Sequence, residues 1–120
     1  EDPNGTVIII DYKTVGKTMN QEDVNRDLQM SIYSMAAKAN GYSNREILLR
    51  LDCLLKTKTP RLEQYYATRS LEDEKRVSRK IREVWRGISN GLFIPNDTAW
   101  KCRTCMYQAH CEKWSQGDET

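Results

Sequence analysis

Apolar residues recur along this chain at two different spacings, which predict one strand, a helix, two more strands and a second helix. The first apolar run, residues 7–10, is short and rich in isoleucine, so it predicts a buried strand over residues 6–13. Asn4-Gly5 directly before it is a strong hairpin signal, because both residues tolerate positive φ. A hairpin needs a strand on each side of its turn. We therefore expect the chain to begin inside a hairpin of a longer protein; an ordinary turn at a frayed terminus is the alternative.

A helix is expected after the loop over residues 14–19. Asn20 is a favourable N-cap, Asp23 stands three residues further on, and Asn40-Gly41 ends the segment. Between these ends the apolar residues recur at helical spacing, at Val24, Leu28, Ile32 and Met35-Ala36. The pattern is typical of one helix with an apolar stripe.

Two further strands follow this helix. Residues 46–56 (EILLRLDCLLK) are rich in leucine and isoleucine and predict a strand, and residues 57–60, which include a proline, predict a turn. Residues 61–69 (RLEQYYATR) predict the next strand. These two strands are therefore expected to be neighbours in the chain with a short connection.

The second helix is expected to begin at Ser70, because Ser70 and Asp73 form a pattern close to a capping box. Its apolar stripe comprises Val77, Ile81, Val84, Trp85 and Ile88. Asn90-Gly91 closes the helix, and Pro95 prevents its continuation.

The order of elements predicts an α/β (α+β) domain with a mixed sheet of about three strands, two main helices and an irregular, cysteine-bearing tail. We divide the chain into residues 1–95, which would form the C-terminal part of a larger core, residues 96–115 as the tail, and residues 116–120 as a disordered end.

Composition restricts the class of protein. The 120 residues are 38% hydrophobic and 30% charged, which is typical of a soluble globular domain. No apolar run approaches the ~20 residues that a membrane span requires, and none of the 120 residues shows a signal-peptide pattern. The net charge of +2 is too small to indicate nucleic-acid binding by itself.

The cysteines are placed as metal ligands are, rather than as disulfide partners. Cys102, Cys105 and Cys111 lie in one short segment, which favours an iron–sulfur or zinc site and a reducing compartment. A closed site needs a fourth ligand. Cys53 lies in an apolar strand and is better explained as a core residue, and His110 is adjacent to Cys111, so both can rarely reach one metal. A fortuitous cluster of reduced thiols is the alternative.

Asp11 and Lys13 stand at the end of the first predicted strand. Residues i and i+2 of a strand share a face, so both side chains point to the same side. The carboxylate could hold Mg²⁺ or Mn²⁺, and the ammonium could orient a water or contact a phosphate. Two ordinary surface charges at a strand end are the alternative.

Two helical patterns could add to such a site. Gln29 and Tyr33 are four residues apart and project together, so they could contact a phosphate or a water, or else simply pack on the sheet. A basic stripe on the second helix could follow a phosphate backbone, and it consists of Lys75, Arg79, Arg82 and Arg86. Interspersed acidic residues favour a solvated, salt-bridged face there instead.

Together these motifs resemble the RecB-like exonuclease branch of the PD-(D/E)XK nuclease superfamily. The matching segments span nearly the whole chain: residues 9–14 (IIDYKT), Gln29-x-x-x-Tyr33, and Cys102-x-x-Cys105-x5-Cys111. The cysteines are similar to those of the members that carry a [4Fe-4S] cluster, such as AddB-type helicase-nucleases and certain CRISPR-associated exonucleases.

The resemblance implies a partial restriction-endonuclease-like core and a DNA exonuclease that depends on Mg²⁺ or Mn²⁺. Asp11 and the backbone carbonyl of Tyr12 would be metal ligands, and Lys13 would orient the attacking water. Gln29 and Tyr33 would support the site and the DNA. The protein would be an exonuclease of repair, recombination or phage type, in the cytoplasm of a bacterium or a phage-infected cell, and it would not bind a membrane. A helicase or recombination protein would be its partner.

The family pattern also includes residues that this chain lacks. Its first metal-binding Asp and the first cluster cysteine lie upstream of the hairpin, and Asp2 is a poor substitute. We therefore expect the 120 residues to have little or no activity alone, and three thiolates to be too few for a stable cluster. The exposed edge of the first strand could support a homodimer or a swapped oligomer. The alternative is a zinc- or cluster-stabilised module that binds nucleic acid or docks a protein without catalysis.

Overall fold

The computed structural model describes residues 3–117. Asp2 and the last three residues of the predicted disordered end, 118–120, lie outside the described residues. The elements in chain order are β1 (Val7–Val15), α1 (Gln21–Arg26), α2 (Leu28–Ala37), β2 (Ile47–Leu55), β3 (Arg61–Ala67), α3 (Leu71–Ser89) and α4 (Gln108–Ser115). An irregular turn over Lys38–Tyr42 follows α2, and a 3₁₀ turn over Trp100–Thr104 precedes α4.

The three strands form one mixed sheet in the order β1-β2-β3, which confirms the predicted fold class. β1 and β2 are parallel with Asp11 opposite Leu51, and β2 and β3 are antiparallel with Leu51 opposite Tyr65. The parallel pair is joined by α1 and α2, because parallel strands need a crossover connection. The predicted strand boundaries agree with the structure to within two residues.

β1 is not the fully buried strand that its apolar run predicts. It has one neighbour among the described strands, and its residues alternate between half-buried and exposed from Ile9 onward. Ile10 and Tyr12 are exposed, whereas Asp11 and Lys13 are half-buried. The run is apolar on both faces, but as an edge strand β1 buries chiefly the face that the helices cover.

The core lies between β2 and the helices that follow β1. Leu49, Leu51, Cys53 and Leu55 are almost completely buried on one face of β2, and Val24 and Met30 pack against them from α1 and α2. Cys53 is thus a core residue, as predicted. Cys53 is the register partner of Lys13, so the C-terminal end of β1 lies beside the buried strand β2.

The single helix predicted after Asn20 is two helices. Asn20 does cap α1, since its Oδ1 accepts from the Glu22 amide at 2.8 Å, but the helix ends at Asp27, whose ψ of 125° is extended. After the break α2 buries Met30, Ser31 and Ser34. Leu28 and Ile32 of the predicted stripe are therefore exposed, because the break rotates the helix face that meets the sheet.

α3 begins as the sequence predicts. Ser70 and Asp73 form a reciprocal capping box, in which the Ser70 amide donates to Asp73 Oδ2 (3.0 Å) and the Asp73 amide donates to Ser70 Oγ (3.2 Å). The helix ends before Gly91, which adopts a φ of 68°. Of its apolar stripe Val77 is buried; Ile81, Val84, Trp85 and Ile88 are exposed.

The chain divides into two compact units, residues 1–82 and 83–120. The first contains the sheet with α1 and α2. The second contains the end of α3 and the tail, and this tail is not irregular as predicted: it forms the 3₁₀ turn and α4. Short helical turns are held by local hydrogen bonds, such as Cys105 N to Cys102 O at 3.2 Å, and these leave little apolar periodicity to detect. Among residues 3–117, no helix is both long and apolar enough to cross a membrane.

Candidate nuclease site

Asp11 and Lys13 project from the helix-covered face of β1. Their sheet partners are Leu51 and Cys53, which belong to the core face of β2, so alternation along the strands places both charges on that same side. The side chains of Asp11 and Lys13 are 18% and 29% exposed. Lys13 Nζ lies 3.7 Å from Asp11 Oδ2, which is an ion pair longer than a hydrogen bond.

One carboxylate oxygen of Asp11 has no hydrogen-bond donor. Oδ2 is buried and receives no hydrogen bond from any group among residues 3–117. A buried anionic oxygen without a donor costs free energy unless a cation compensates it. Lys13 supplies part of that compensation at 3.7 Å, and a hard divalent cation would supply more. The chemistry of Asp11 therefore fits a divalent-metal ligand.

The main chain of Tyr12 faces the free edge of the sheet. Val7 donates to Glu46 O and Val15 accepts from the Lys56 amide, so the odd-numbered residues of β1 bond to β2. In a parallel pair of strands, the main-chain N–H and C=O groups of the alternate residues point away from the partner strand. The Tyr12 carbonyl accordingly lies on the side of β1 that has no strand neighbour among the described residues.

Asp27 also lies at this site, although its local sequence pattern did not predict that position. Its Oδ2 lies 3.8 Å from Lys13 Nζ, so the ammonium stands between two carboxylates. Asp27 Oδ1 accepts from the Met30 amide at 2.8 Å and thereby caps α2. Sequence reasoning assigned one continuous helix here. The available signal was an aspartate within that helix, since Asp favours caps over helix interiors.

Gln29 and Tyr33 lie on the first turns of α2, after Asp27. Gln29 Nε2 donates to Tyr33 Oη at 2.7 Å, so the predicted i, i+4 pair is formed, and both residues are exposed. Within residues 3–117 neither side chain hydrogen-bonds to Asp11 or Lys13. The pair presents an amide and a phenol to solvent on the helix that Asp27 caps.

A buried arginine contacts the junction between α1 and α2, where Asp27 lies. Arg69 is 8% exposed and donates to Ser31 Oγ (2.6 Å) and to the carbonyls of Val24 and Asp27 (3.1 Å each). Burial lowers the pKa of Arg69, and nearby Asp73 and Asp27 oppose that effect. The sequence placed Arg69 at the end of a strand, and nothing in the local pattern distinguishes it from a surface arginine.

A polar network on β3 continues the row that starts at Lys13. Cys53 lies between Lys13 and Glu63 in the register, and burial raises the pKa of its thiol. Glu63 accepts from Tyr65 Oη (2.5 Å) and from Arg61 Nε (2.9 Å). Those two hydrogen bonds, that of Tyr65 foremost, hold the pKa of Glu63 below its usual value. Tyr65 Oη in turn accepts from the Met19 amide at 3.1 Å, which anchors the loop between β1 and α1.

The predicted basic stripe on α3 is exposed and partly neutralised. Lys75 pairs with Glu72 at 3.2 Å and Arg86 pairs with Glu83 at 3.1 Å. Arg79 and Arg82 have no ion-pair partner among the described residues. Two of the four basic side chains are thus salt-bridged, as the acidic neighbours favoured, and the other two are not.

The three tail cysteines line one cavity in the second unit. Cys102, Cys105 and Cys111 border a space of about 380 Å³ together with Asp97 and Glu112. Within the described part of the chain, however, no three His, Cys, Asp or Glu side chains are arranged so that they could hold one metal ion. The cysteines are free thiols in this structure.

Comparison with known protein families decides the superfamily. The family model described as the PD-(D/E)XK nuclease superfamily matches residues 1–112. The chain belongs to the PD-(D/E)XK nuclease superfamily. No curated protein and no solved structure matches the chain at a significant level. Members of the PD-(D/E)XK superfamily are generally nucleases that act on DNA and typically use divalent metals, and the mixed sheet of this chain is consistent with their restriction-endonuclease-like core.

Proposed function

We propose that this PD-(D/E)XK chain carries the catalytic strand of a divalent-metal-dependent DNA exonuclease of RecB-like type. Asp11 and the Tyr12 carbonyl would hold Mg²⁺ or Mn²⁺, which would polarise the scissile phosphoryl group and acidify water. Lys13 would orient the attacking water. Gln29 and Tyr33 would contact the substrate backbone, with Arg79 and Arg82 of the basic stripe as further phosphate contacts.

The observation that carries the proposal is the buried, donor-free Oδ2 of Asp11 beside Lys13 at 3.7 Å. An ordinary surface ion pair would leave both groups in water, where it would contribute ~0–1 kcal/mol and need no burial. Here the strand register forces both charges onto the core face. A cation bound at Asp11 and a lysine held next to it are the two components that phosphodiester hydrolysis requires from such a strand.

The first experiment measures Mn²⁺ binding by isothermal titration calorimetry on the wild-type chain, Asp11→Asn and Asp23→Asn. Asp23 is an exposed carboxylate in the first turn of α1 and controls for the loss of one negative charge. We expect Asp11→Asn to abolish binding and Asp23→Asn to leave it within about twofold. Equal binding by wild type and Asp11→Asn would refute the metal site.

The second experiment measures cleavage of 5′- and 3′-labelled single- and double-stranded DNA with Mn²⁺. We expect weak cleavage by this chain alone, because no three ligating side chains converge within residues 3–117. Lys13→Met should remove that cleavage and retain Mn²⁺ binding, whereas Lys17→Met, an exposed lysine beyond β1, should change neither. Release of mononucleotides from one end would support exonuclease action; internal nicking would contradict it.

A second function has one observation in its favour, which is that the three tail cysteines border a single cavity. A module that binds zinc or an iron–sulfur cluster through Cys102, Cys105 and Cys111, and that contacts nucleic acid or a partner protein without catalysis, would use this cavity. Stoichiometric zinc that is lost in Cys102→Ser, together with an inert Asp11→Asn substitution, would favour this module over the nuclease.

A further inference from the structure

We propose that Asp27 is a positioning residue for Lys13 and that the buried Arg69 fixes Asp27 in place. The inference rests on the proposed nuclease function, since it concerns the lysine of that site. It starts from the geometry of one residue. The two carboxylate oxygens of Asp27 face different partners: Oδ1 takes the Met30 amide at 2.8 Å, and Oδ2 lies 3.8 Å from Lys13 Nζ.

The position of Asp27 is determined from its other side by Arg69. The Asp27 carbonyl accepts from Ser31 Oγ at 2.8 Å and from Arg69 Nη2 at 3.1 Å, and Arg69 Nε donates to the same Ser31 hydroxyl at 2.6 Å. Arg69 Nη2 also reaches the Val24 carbonyl at 3.1 Å, near the end of α1. A planar guanidinium has donors in fixed directions, so it holds the end of α1 and the start of α2 at one geometry.

This arrangement sets the charge balance around Lys13. Its ammonium is 3.7 Å from Asp11 and 3.8 Å from Asp27, so neither carboxylate forms a hydrogen bond with it. The three side chains are 18–29% exposed, so their interaction is screened less than that of a surface pair. Without the Asp27 charge, Asp11 is the remaining anionic partner of Lys13. The ammonium would then move onto Asp11 and compete with the cation for its oxygens.

The capping role of Asp27 can be separated from its charge. Asn and Ser are both good N-caps, so Asp27→Asn and Asp27→Ser keep the acceptor for the Met30 amide and remove the charge near Lys13. Asp27→Ala removes both. Asp23→Asn makes the same chemical change at an exposed position on α1 and serves as the matched control.

The test uses two measurements on the full chain. The first is the NMR signal of the Lys13 ammonium in metal-free, ¹⁵N-lysine-labelled protein, assigned by its loss in Lys13→Arg. The second is Mn²⁺ affinity, with the thermal midpoint as the measure of folding. We expect Asp27→Asn and Asp27→Ser to shift the Lys13 signal and weaken Mn²⁺ binding about fivefold or more at an unchanged midpoint. Asp27→Ala should lower the midpoint as well, and Asp23→Asn should resemble wild type.

Two further variants test whether Arg69 fixes Asp27 in place. Arg69→Lys keeps the positive charge and loses the planar guanidinium with its donors in fixed directions. Ser31→Ala removes the hydroxyl that hydrogen-bonds to both Arg69 and Asp27. Each variant should shift the Lys13 signal in the same direction as Asp27→Asn. The proposal is overturned if the Lys13 signal is unchanged in Asp27→Asn and Asp27→Ser. It is also overturned if the wild-type chain binds Mn²⁺ and these two variants bind it with an affinity within twofold of the wild-type value. If these variants shift the signal and the wild type binds no Mn²⁺, the positioning role stands and the proposed nuclease site fails.

Discussion

Replacement of Arg69 by methionine is the sharpest test of how the corner between α1 and α2 is held. The side chain is 8% exposed, and it donates four hydrogen bonds, to Ser31 Oγ and to the carbonyls of Val24, Asp27 and Thr68. Methionine is shorter, and it fills the space of the aliphatic part of the arginine side chain. It donates none of these bonds.

The expected loss follows from those contacts. Hydrogen bonds from a charged donor contribute about 1.5–3 kcal/mol each, but they are not additive. The Val24 and Asp27 carbonyls retain backbone donors, the amides of Asp27 (3.3 Å) and Ser31 (3.2 Å), so they are not left wholly unpaired. Removal of the buried charge also removes its desolvation cost, which offsets a further part of the loss in the free energy of unfolding. We expect a loss of about 2–4 kcal/mol in the free energy of unfolding, which a domain with about 5–15 kcal/mol tolerates.

The assay is urea unfolding followed by circular dichroism. With a slope of about 2 kcal/mol/M, the midpoint of Arg69→Met should fall by about 1–2 M. Arg76→Met is the matched control: Arg76 is 48% exposed and pairs with Asp73 at 2.8 Å, and such surface pairs contribute about 0–1 kcal/mol. If the two variants lowered the midpoint equally, the buried guanidinium would not be what holds the helix break.

Two further outcomes are expected. The pKa of Glu63 is held below the ordinary 4.5 by Tyr65 and Arg61, so its stabilising effect is present above that value and is lost as the pH falls through the folded-state pKa. Urea midpoints of wild type and Glu63→Gln should therefore differ at pH 6 and converge toward pH 3, and a constant difference would contradict this. Because Cys53 is buried and burial raises the pKa of its thiol, Ellman's reagent should modify the exposed Cys105 quickly and Cys53 only in urea. Loss of the fastest phase in Cys105→Ser would support this, whereas a rate for Cys53 equal to that in urea would contradict it.

The sequence predicted most of the fold because its local signals agree with the tertiary structure. Short runs rich in isoleucine and leucine located β1 and β2, and the proline-containing turn located the start of β3. Reciprocal capping by Ser70 and Asp73 located the start of α3. The same reasoning failed at Asp27. The apolar residues Val24, Leu28 and Ile32 fit one helix, but the buried face after the break is formed by Met30, Ser31 and Ser34. Two buried serines have no apolar signature, so periodicity could not reveal that face.

The candidate site was predictable in part for a similar reason. Asp11 and Lys13 share a face by strand geometry alone, and Gln29 and Tyr33 pair by helix geometry alone. Asp27 and Arg69 reach the site through contacts that link residues 14 and 42 positions apart. Such contacts depend on how elements pack and leave no trace in local spacing.

The charges of β1 also bear on strand register. Residues 7–10 are all apolar β-branched side chains, so a shift of one residue along β2 would exchange one apolar set for another at little cost. The same shift would carry Asp11 and Lys13 to the opposite face, away from Asp27, and would turn Tyr12 toward the core. The exposed face would keep both charges in water, so the observed alignment depends on the compensation that Asp11, Lys13 and Asp27 give one another on the core face. Loss of the Asp27 charge would therefore favour the shifted alignment of an otherwise ambiguous strand.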